Sequence, residues 1–396
     1  MLNVNAIQES LQTFKLDGWL LYDFRGMNPL ARRVLGMSDD NVGSRRWFYC
    51  IPAEGAPMKL VHRIESGALD GLPGSVNVYL KWQELEAGVE RLVSEMGRVA
   101  MEYSPNNANP YVSRVDAGTI ELVRRFGCDI VSSGDLIQQF EAVWDDEQWQ
   151  MHLEASEHTN AAFTRAWSLI ADRIRSGERV TECMVQEEIM QHFAERGMTT
   201  YHPPIVGVGP HSGDPHFEPD ANNDTEMQNG DFVLIDLWAK MDQPRGVYSD
   251  LTRVGYIGES VPRQYEEVFK IVADARDAGI AIVKDAFAKG ESLQGWQVDK
   301  ATRDVIDTAG YGDAFFHRTG HSIGQETHGN GANMDNLEMR DERLVLPGTC
   351  FSIEPGIYLP EFGIRSEVDV FVDHDGNVHV TGGDLQQAVI SVLAEY

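Results

Sequence analysis

Residues Phe232–Val254, FVLIDLWAKMDQPRGVYSDLTRV, hold two short apolar runs, and each carries a carboxylate where a core residue is expected: Asp236 in VLIDLW and Asp250 in VYSDLT. Burying an unpaired carboxylate costs roughly several kcal/mol, so a buried one needs a cation or strong hydrogen-bond donors. A strand-end Asp that caps a turn would explain either residue alone. Two of them in neighbouring runs, with matching carboxylates further on, point to a shared site.

The matching carboxylates lie near the end of the chain. TCFSIEPGIYLP carries Glu354, and FGIRSEVDVFV carries Glu367. Side chains alternate faces along a strand, so Arg365, Glu367 and Asp369 are expected on one face, opposite Ile364, Val368 and Val370. A third piece, HRTGHSIGQETH, supplies His317, His321 and His328 at spacings of four and seven. Two Asp, two Glu and one His give oxygen and nitrogen donors with no thiolate. Such a set suits two divalent cations of the manganese, cobalt or zinc type, bridged by carboxylates.

A chain of 396 residues exceeds one ordinary core. We expect two domains, 1–145 and 146–396. Strand- and helix-like segments alternate through the first, which predicts an α/β layer: strands at 18–24, 45–53, 58–64, 75–82, 98–104 and 128–134, and helices at 1–15, 83–97 and 112–127. From Phe140 a long helical stretch runs without Gly or Pro. Thr181 is a natural N-cap for the next helix, which stops at Gly197. Pro262 opens a further helix running to Gly290, and 295–310 reads as another. Each half of the second domain is then two helices followed by strands bearing two carboxylates, an α+β unit with pseudo-two-fold symmetry and the metal site between its halves. DHDG (373–376) is a hairpin turn.

The charge balance, 33 basic against 62 acidic residues for a net of −29, disfavours nucleic acid and anionic membrane as partners. No apolar run reaches the ~18 residues of a membrane span. The N-terminal stretch has neither a basic start nor an apolar signal core, and Cys50, Cys128, Cys183 and Cys350 form no CxxC. Both features predict a reducing cytoplasm.

Clustered cations would let the four carboxylates stay ionised together and bring the pKa of a shared water toward neutrality. Glu354 is expected to carry that water's proton, because the turn-forming EPG would hold it rigidly at a strand end. His216, His317 and His328 remain as neutral donors or proton shuttles around a reacting carbonyl. Neither GVG nor GNG sits between a strand and a helix as a phosphate loop requires.

The segments PHFEP, LIDL/YSDLTR, HRTGHSIGQETH, FSIEPGIY and GIRSEVD together resemble the metallopeptidases that include Xaa-Pro dipeptidases (prolidases), Xaa-Pro aminopeptidases and methionine aminopeptidases. The resemblance implies a pita-bread catalytic domain at 146–396, preceded at 1–145 by a creatinase-type α/β domain that in prolidases walls off the site. Carried over, it implies that Asp236 chelates one metal, Asp250 and Glu367 bridge both, and His321 and Glu354 hold the other. Catalysis would involve Glu354, His216 and His328, with His317 placing the substrate. Arg365 would support the metal-site network, and Arg343 and Arg365 would serve substrate binding, Arg343 by meeting the free carboxylate of a dipeptide. The implied activity is hydrolysis of Xaa-Pro bonds in small peptides, by a homodimer carrying two Mn²⁺, or Co²⁺ or Zn²⁺.

Three departures bear on substrate choice. Trp238 stands where the family usually has Gly, Gly329 follows the last histidine in place of the common Glu, and Asp236 and Asp250 are fourteen apart, about three more than usual. Alternative readings are an Xaa-Pro aminopeptidase acting on longer peptides, hydrolysis of an ester or phosphotriester by the same metals, a metal-free creatinase-type hydrolase, and a non-catalytic scaffold. The last two predict loss of a ligand set that this chain retains.

Overall fold

The computed structural model describes residues 2–38 and 42–396. The chain divides into two units, Met1–Glu141 and Ala142–Tyr396.

Among the described residues, the first unit is built on a six-stranded mixed sheet. Its strands run Ser75–Tyr79, Met58–His62, Trp47–Pro52, Gly18–Asp23, Arg98–Met101 and Asp129–Ser132 from edge to edge. Alternation sends Leu20 and Tyr22 to one face and Trp19 and Leu21 to the other, and both faces are buried. Helices Trp82–Val93 and Ala117–Arg124 cover the first face through Leu85, Val89, Ile120 and Val123. Helices Val4–Thr13, Pro29–Val34 and Gly134–Glu141 cover the second through Ile7, Leu11, Leu30 and Leu136. The helix expected over 112–127 begins only at Ala117, because Asp116 accepts the Thr119 N–H and so fixes the start there.

The long helical stretch expected from Phe140 is two helices, one ending at Glu141 and one starting at Asp146. Asp145 separates them. Its side chain accepts from the Gln148 N–H, and Gln148 answers toward the Asp145 N–H in a reciprocal cap.

In the second unit, helices Asp146–Ser176 and Glu182–Glu195 precede a first hairpin, Phe232–Met241 with Tyr248–Tyr256. Helices Arg263–Lys289 and Gly295–Thr308 precede a second, built from Cys350–Ile353 and Val368–Val372 and continued by Gly356–Tyr358 with Gly363–Arg365. This is the pseudo-two-fold plan. Thr181 caps its helix by accepting from the Met184 N–H, and Pro262 is the N-cap of the Arg263 helix, which ends on left-handed Gly290. Apolar clusters behind each hairpin pack against the helix pairs, Trp167 and Ile170 with Ile235 and Leu251 in one, Val283 and Val298 with Ile353 and Val370 in another.

Two segments expected as continuous strands are interrupted. TCFSIEPGIY stops as strand at Ile353 and resumes at Gly356, and FGIRSEVDVFV stops at Arg365 and resumes at Val368. EPG is therefore not a turn. Ile353 pairs with Val368 and Gly356 with Arg365, so one register runs through both pieces and sets Glu354 opposite Glu367. Pro355 has no N–H to give the ladder, and only the Ser366 N–H to Pro355 O bond, 3.2 Å, spans the break. Among the described residues, no helix is long and apolar enough to cross a membrane.

Candidate metal centre

The unbroken hairpin presents its carboxylates by register alone. Asp236 pairs with Thr252 and Asp250 with Trp238, so these four side chains share one face. The broken hairpin brings Glu354 and Glu367 at its pinch. His321 arrives on Ser322–Ile323, which pairs with Cys350–Phe351. Gly320 permits that approach, since a Cβ there would stand 1.9 Å from Ser352 O. His321 N–H and Glu354 are tied to one hydroxyl: Ser352 Oγ accepts from the first at 3.0 Å and donates to Glu354 Oε1 at 3.1 Å.

Donor atoms of Asp250, His321 and Glu367 lie within 4.8 Å of one another. His321 Nε2 is 3.5 Å from Asp250 Oδ2 and 3.3 Å from Glu354 Oε1. Asp236 joins through Arg365, whose Nη2 donates to Asp236 Oδ2 at 2.6 Å, while Nε donates to Thr252 Oγ1 at 2.9 Å. Thr252 in turn donates to Glu367 Oε2 at 2.7 Å. Arg365 Nη1 donates to the Tyr358 hydroxyl at 2.9 Å, and His317 Nε2 meets that hydroxyl at 2.7 Å. Each of the three guanidinium nitrogens thus donates to a protein group, which ties Arg365 into the network around the carboxylates.

The electrostatics are those of a site short of positive charge. Burial raises the carboxyl pKa of Asp250 and Glu367 well above the usual range, and repulsion adds to it, from Asp236 on Asp250 and from Asp250 on Glu367. Burial also raises Asp236, against the pull of Arg365. Glu354 is pushed up to about 7 by burial, with repulsion from Asp236 added and Arg365 opposing. Burial drives His321 well below its ordinary value, so it is a neutral donor, and takes His317 down to about 3 with help from Arg365. Asp236 Oδ1 is buried without a hydrogen-bond partner. Three buried carboxylates with the part-buried Glu354, a neutral imidazole and an orphaned oxygen fit divalent cations.

Of the remaining expected residues, His328 stacks edge-on to His321 with centroids 4.3 Å apart. His216 is exposed on its loop, and its charge bears on Asp236, His317 and His328. Arg343 is buried in a different network. Its Nε and Nη2 donate to Asp341 at 2.9 and 2.5 Å, and Nη1 donates to Asn330 O at 3.1 Å. Trp238 stands directly across from Asp250 with exposed Tyr201 and with His202 around it. The tip of the lengthened hairpin is anchored on the start of the Asp146 helix, where Arg245 pairs with Asp145 and Glu147.

Sequence reasoning missed Thr252, Tyr358 and Ser352. Thr252 had a signal, since it lies two after Asp250 and so on the same face; the hydroxyls of Tyr358 and Ser352 had none that distinguished them from core. Asp369 was seen only as sharing a face. It accepts the Asp250 N–H at 3.0 Å, and burial lifts its carboxyl to about 8.

The sequence pattern of metallopeptidase family M24 matches residues 150–374. An uncharacterized peptidase, YqhT of Bacillus subtilis, is 29% identical over 255 residues, 64% of this chain and 66% of that protein, so the match spans just under two thirds of that relative. A probable dipeptidase, PepE of Mycobacterium tuberculosis, is 28% identical over 346 residues, 86% and 85% of the two chains. Among solved structures, dipeptidase PepE from Mycobacterium ulcerans aligns over 98% of this chain and 96% of its own with TM-score 0.66 and 22% identity. An Xaa-Pro dipeptidase from Bacillus anthracis aligns over 98% of each chain with TM-score 0.60 and 22% identity. The shared architecture is the pita-bread fold.

Proposed function

We propose, from the premise that this chain belongs to metallopeptidase family M24, that it hydrolyses Xaa-Pro bonds with two divalent metal ions and prefers dipeptides. The observation that carries this reading is the convergence of Asp250, His321 and Glu367 within 4.8 Å, with Glu354 and Asp236 beside them. Asp236 would hold one ion, His321 and Glu354 the other, with Asp250 and Glu367 shared. Manganese suits four carboxylates and one imidazole best, with cobalt or zinc as substitutes. Bound there, the ions would neutralise the cluster and make a water acidic enough to attack near neutral pH.

The chain's own groups supply the rest. Glu354, poised near neutrality, takes the proton of the attacking water and returns it to the departing proline nitrogen. That nitrogen leaves as a secondary amine and needs the proton. His216 and His328 would meet the scissile carbonyl, and His317, neutral and fixed through Tyr358, would place the substrate. Proline has no amide N–H, so its recognition falls to apolar walls and to its carboxylate. Arg343 is our choice for that carboxylate, with Asp341 holding the guanidinium in place. The first unit would be the creatinase-type domain, and the protein a cytoplasmic homodimer.

The engagement of Arg343 by Asp341 favours one second reading, an Xaa-Pro aminopeptidase acting on longer peptides. A single assay separates them. Chelated protein reloaded with Mn²⁺ should cleave Ala-Pro at least ~10-fold faster than Ala-Pro-Ala, because a site built for a charged terminus rejects substrates lacking it. Equal rates would establish the aminopeptidase reading. No cleavage of either, with two ions bound per chain, would overturn both.

A further inference from the structure

Five of the six strands of the first unit run parallel, and only Trp47–Pro52 opposes them. After the edge strand Ser75–Tyr79 the chain returns through helix Trp82–Val93 to Arg98–Met101, on the far side of Gly18–Asp23. Open α/β sheets take ligands outside the carboxyl ends of their strands, where the order of winding reverses. A cleft of about 1210 Å³ lies at those ends, and every residue lining it belongs to the first unit. Tyr22, His62 and Tyr79, each at or next to the carboxyl end of its strand, form its buried floor. Helices Trp82–Val93 and Ala117–Arg124 form its walls.

The floor carries an unused donor. His62 is only 9% exposed, and its Nδ1 accepts the Ile64 N–H at 3.1 Å. The proton of the neutral ring is therefore on Nε2, which has no hydrogen-bond partner among the described residues. A cation faces the same space. The carbonyl of half-buried Arg46 accepts from the Tyr79 hydroxyl at 2.8 Å, and the Arg46 charge bears on the hydroxyls of both Tyr22 and Tyr79. The other arginines of the cleft are engaged. Arg125 pairs with Glu86 at 2.8 Å, and Arg45 donates to Ser44 Oγ at 2.9 Å. Arg46 has no ion-pair partner among the described residues.

The rim is apolar. Met27, Leu80 and Trp82 are 56, 46 and 63% exposed, and Phe24 lines the same cleft. Charge narrows the ligand further. Asp116 and Glu121 also line the cleft, so a doubly charged phosphate would meet repulsion, whereas one unpaired guanidinium matches a single carboxylate.

We propose that this cleft binds a small monocarboxylate with an aromatic body, its carboxylate on Arg46 and His62 and its ring against Trp82 and Phe24. The guanidinium and the imidazole N–H supply charge-assisted hydrogen bonds, and the two aromatic side chains supply stacking area. Every residue it uses lies in the first unit, so the site stands or falls apart from the metal centre.

The test is isothermal titration calorimetry of the full-length, metal-loaded protein with phenylpropionate as probe. Wild type should bind it with a Kd below ~1 mM. Arg46→Gln should weaken binding at least ~10-fold, as loss of a hydrogen bond to a charged group does. Trp82→Ala should weaken it ~3–10-fold, and because Trp82 is exposed this variant keeps the fold. A carboxylate can also ligate bound metal, and these two variants, both in the first unit, tell the sites apart. No binding by wild type, or binding unchanged in both variants, would overturn the proposal. So would equal binding of the uncharged amide, phenylpropanamide. Tighter binding of inorganic phosphate that Arg46→Gln abolishes would overturn the carboxylate assignment.

Discussion

The two carboxylate hairpins of the second unit solve one problem in opposite ways. Phe232–Met241 and Tyr248–Tyr256 form an unbroken ladder, and strand alternation alone puts Asp236 and Asp250 on the same face. The second hairpin keeps its register but loses its ladder at Glu354–Pro355 and Ser366–Glu367, and its two acids stand at that gap. A continuous ladder fixes where a side chain points but gives it a neighbour on either side. A gap frees the flanking residues to lean toward a shared centre. In the proposed reading the first hairpin would supply rigid chelators, and the second would place Glu354, raised to about 7 by burial, to move the proton.

The largest effects should expose that division. Asp250→Ala or Glu367→Ala removes a shared donor and should cost both metal and activity, by more than the ~10–100-fold that loss of an outer partner costs. Glu354→Gln, assayed with both ions resupplied to saturation, should instead lower turnover by ~10²–10⁴-fold, far more than it lowers substrate affinity. Elemental analysis beside steady-state kinetics checks both. Near-normal turnover of Glu354→Gln with two ions bound would assign the proton to another group.

A middle-sized effect is expected where the hairpins touch. Thr252 belongs to the first and donates to Glu367 of the second while accepting from Arg365. Thr252→Val keeps the shape and removes both bonds, so metal affinity should fall ~10–100-fold. An unchanged affinity in competition with a chromogenic chelator would show that the hairpins are aligned by packing alone.

The smallest effect is on stability. Without metal, the raised pKa of Glu354 means that the folded chain keeps a proton that the unfolded chain has released. Its stabilising share is complete below the ordinary carboxyl range and is lost as pH rises through about 7. Asp236, Asp250 and Glu367 shift in the same direction. His321 is already neutral, so cations displace protons from carboxyls only. Added Mn²⁺ should therefore raise Tm more at pH 8 than at pH 5.5, by ~2–4 °C for each kcal/mol gained. Equal increments at the two pH values would contradict the shifts.

The same contrast explains what could be read from sequence. The Asp hairpin was legible because its pattern is local: alternation, an intervening turn and two acids in apolar runs. The helix starts at Thr181 and Pro262 were legible for the same reason. The break at Pro355 was not, because a turn and a pinched ladder share the letters EPG and only the partner strand tells them apart. The split at Asp145 was missed because a helix-favouring stretch hid a capping residue. The partners of Arg365, Asp236 and Thr252, come from over a hundred residues away and leave no local trace in the sequence around it.

That separation has a consequence for how the chain acquires its centre. Arg365 and Asp236 are 129 residues apart, and Asp250 N–H finds Asp369 across 119. Contacts of such long range form late, since the intervening loops must close before they are rewarded. During synthesis the first hairpin emerges with its two acids before His321, Glu354, Arg365 and Glu367 have been made. The nascent chain therefore lacks a chelating centre until nearly all of it has been made, and ion capture should follow folding rather than guide it. Refolding rates in the presence and absence of divalent ions would then be the same, with the ions appearing only in the unfolding rate.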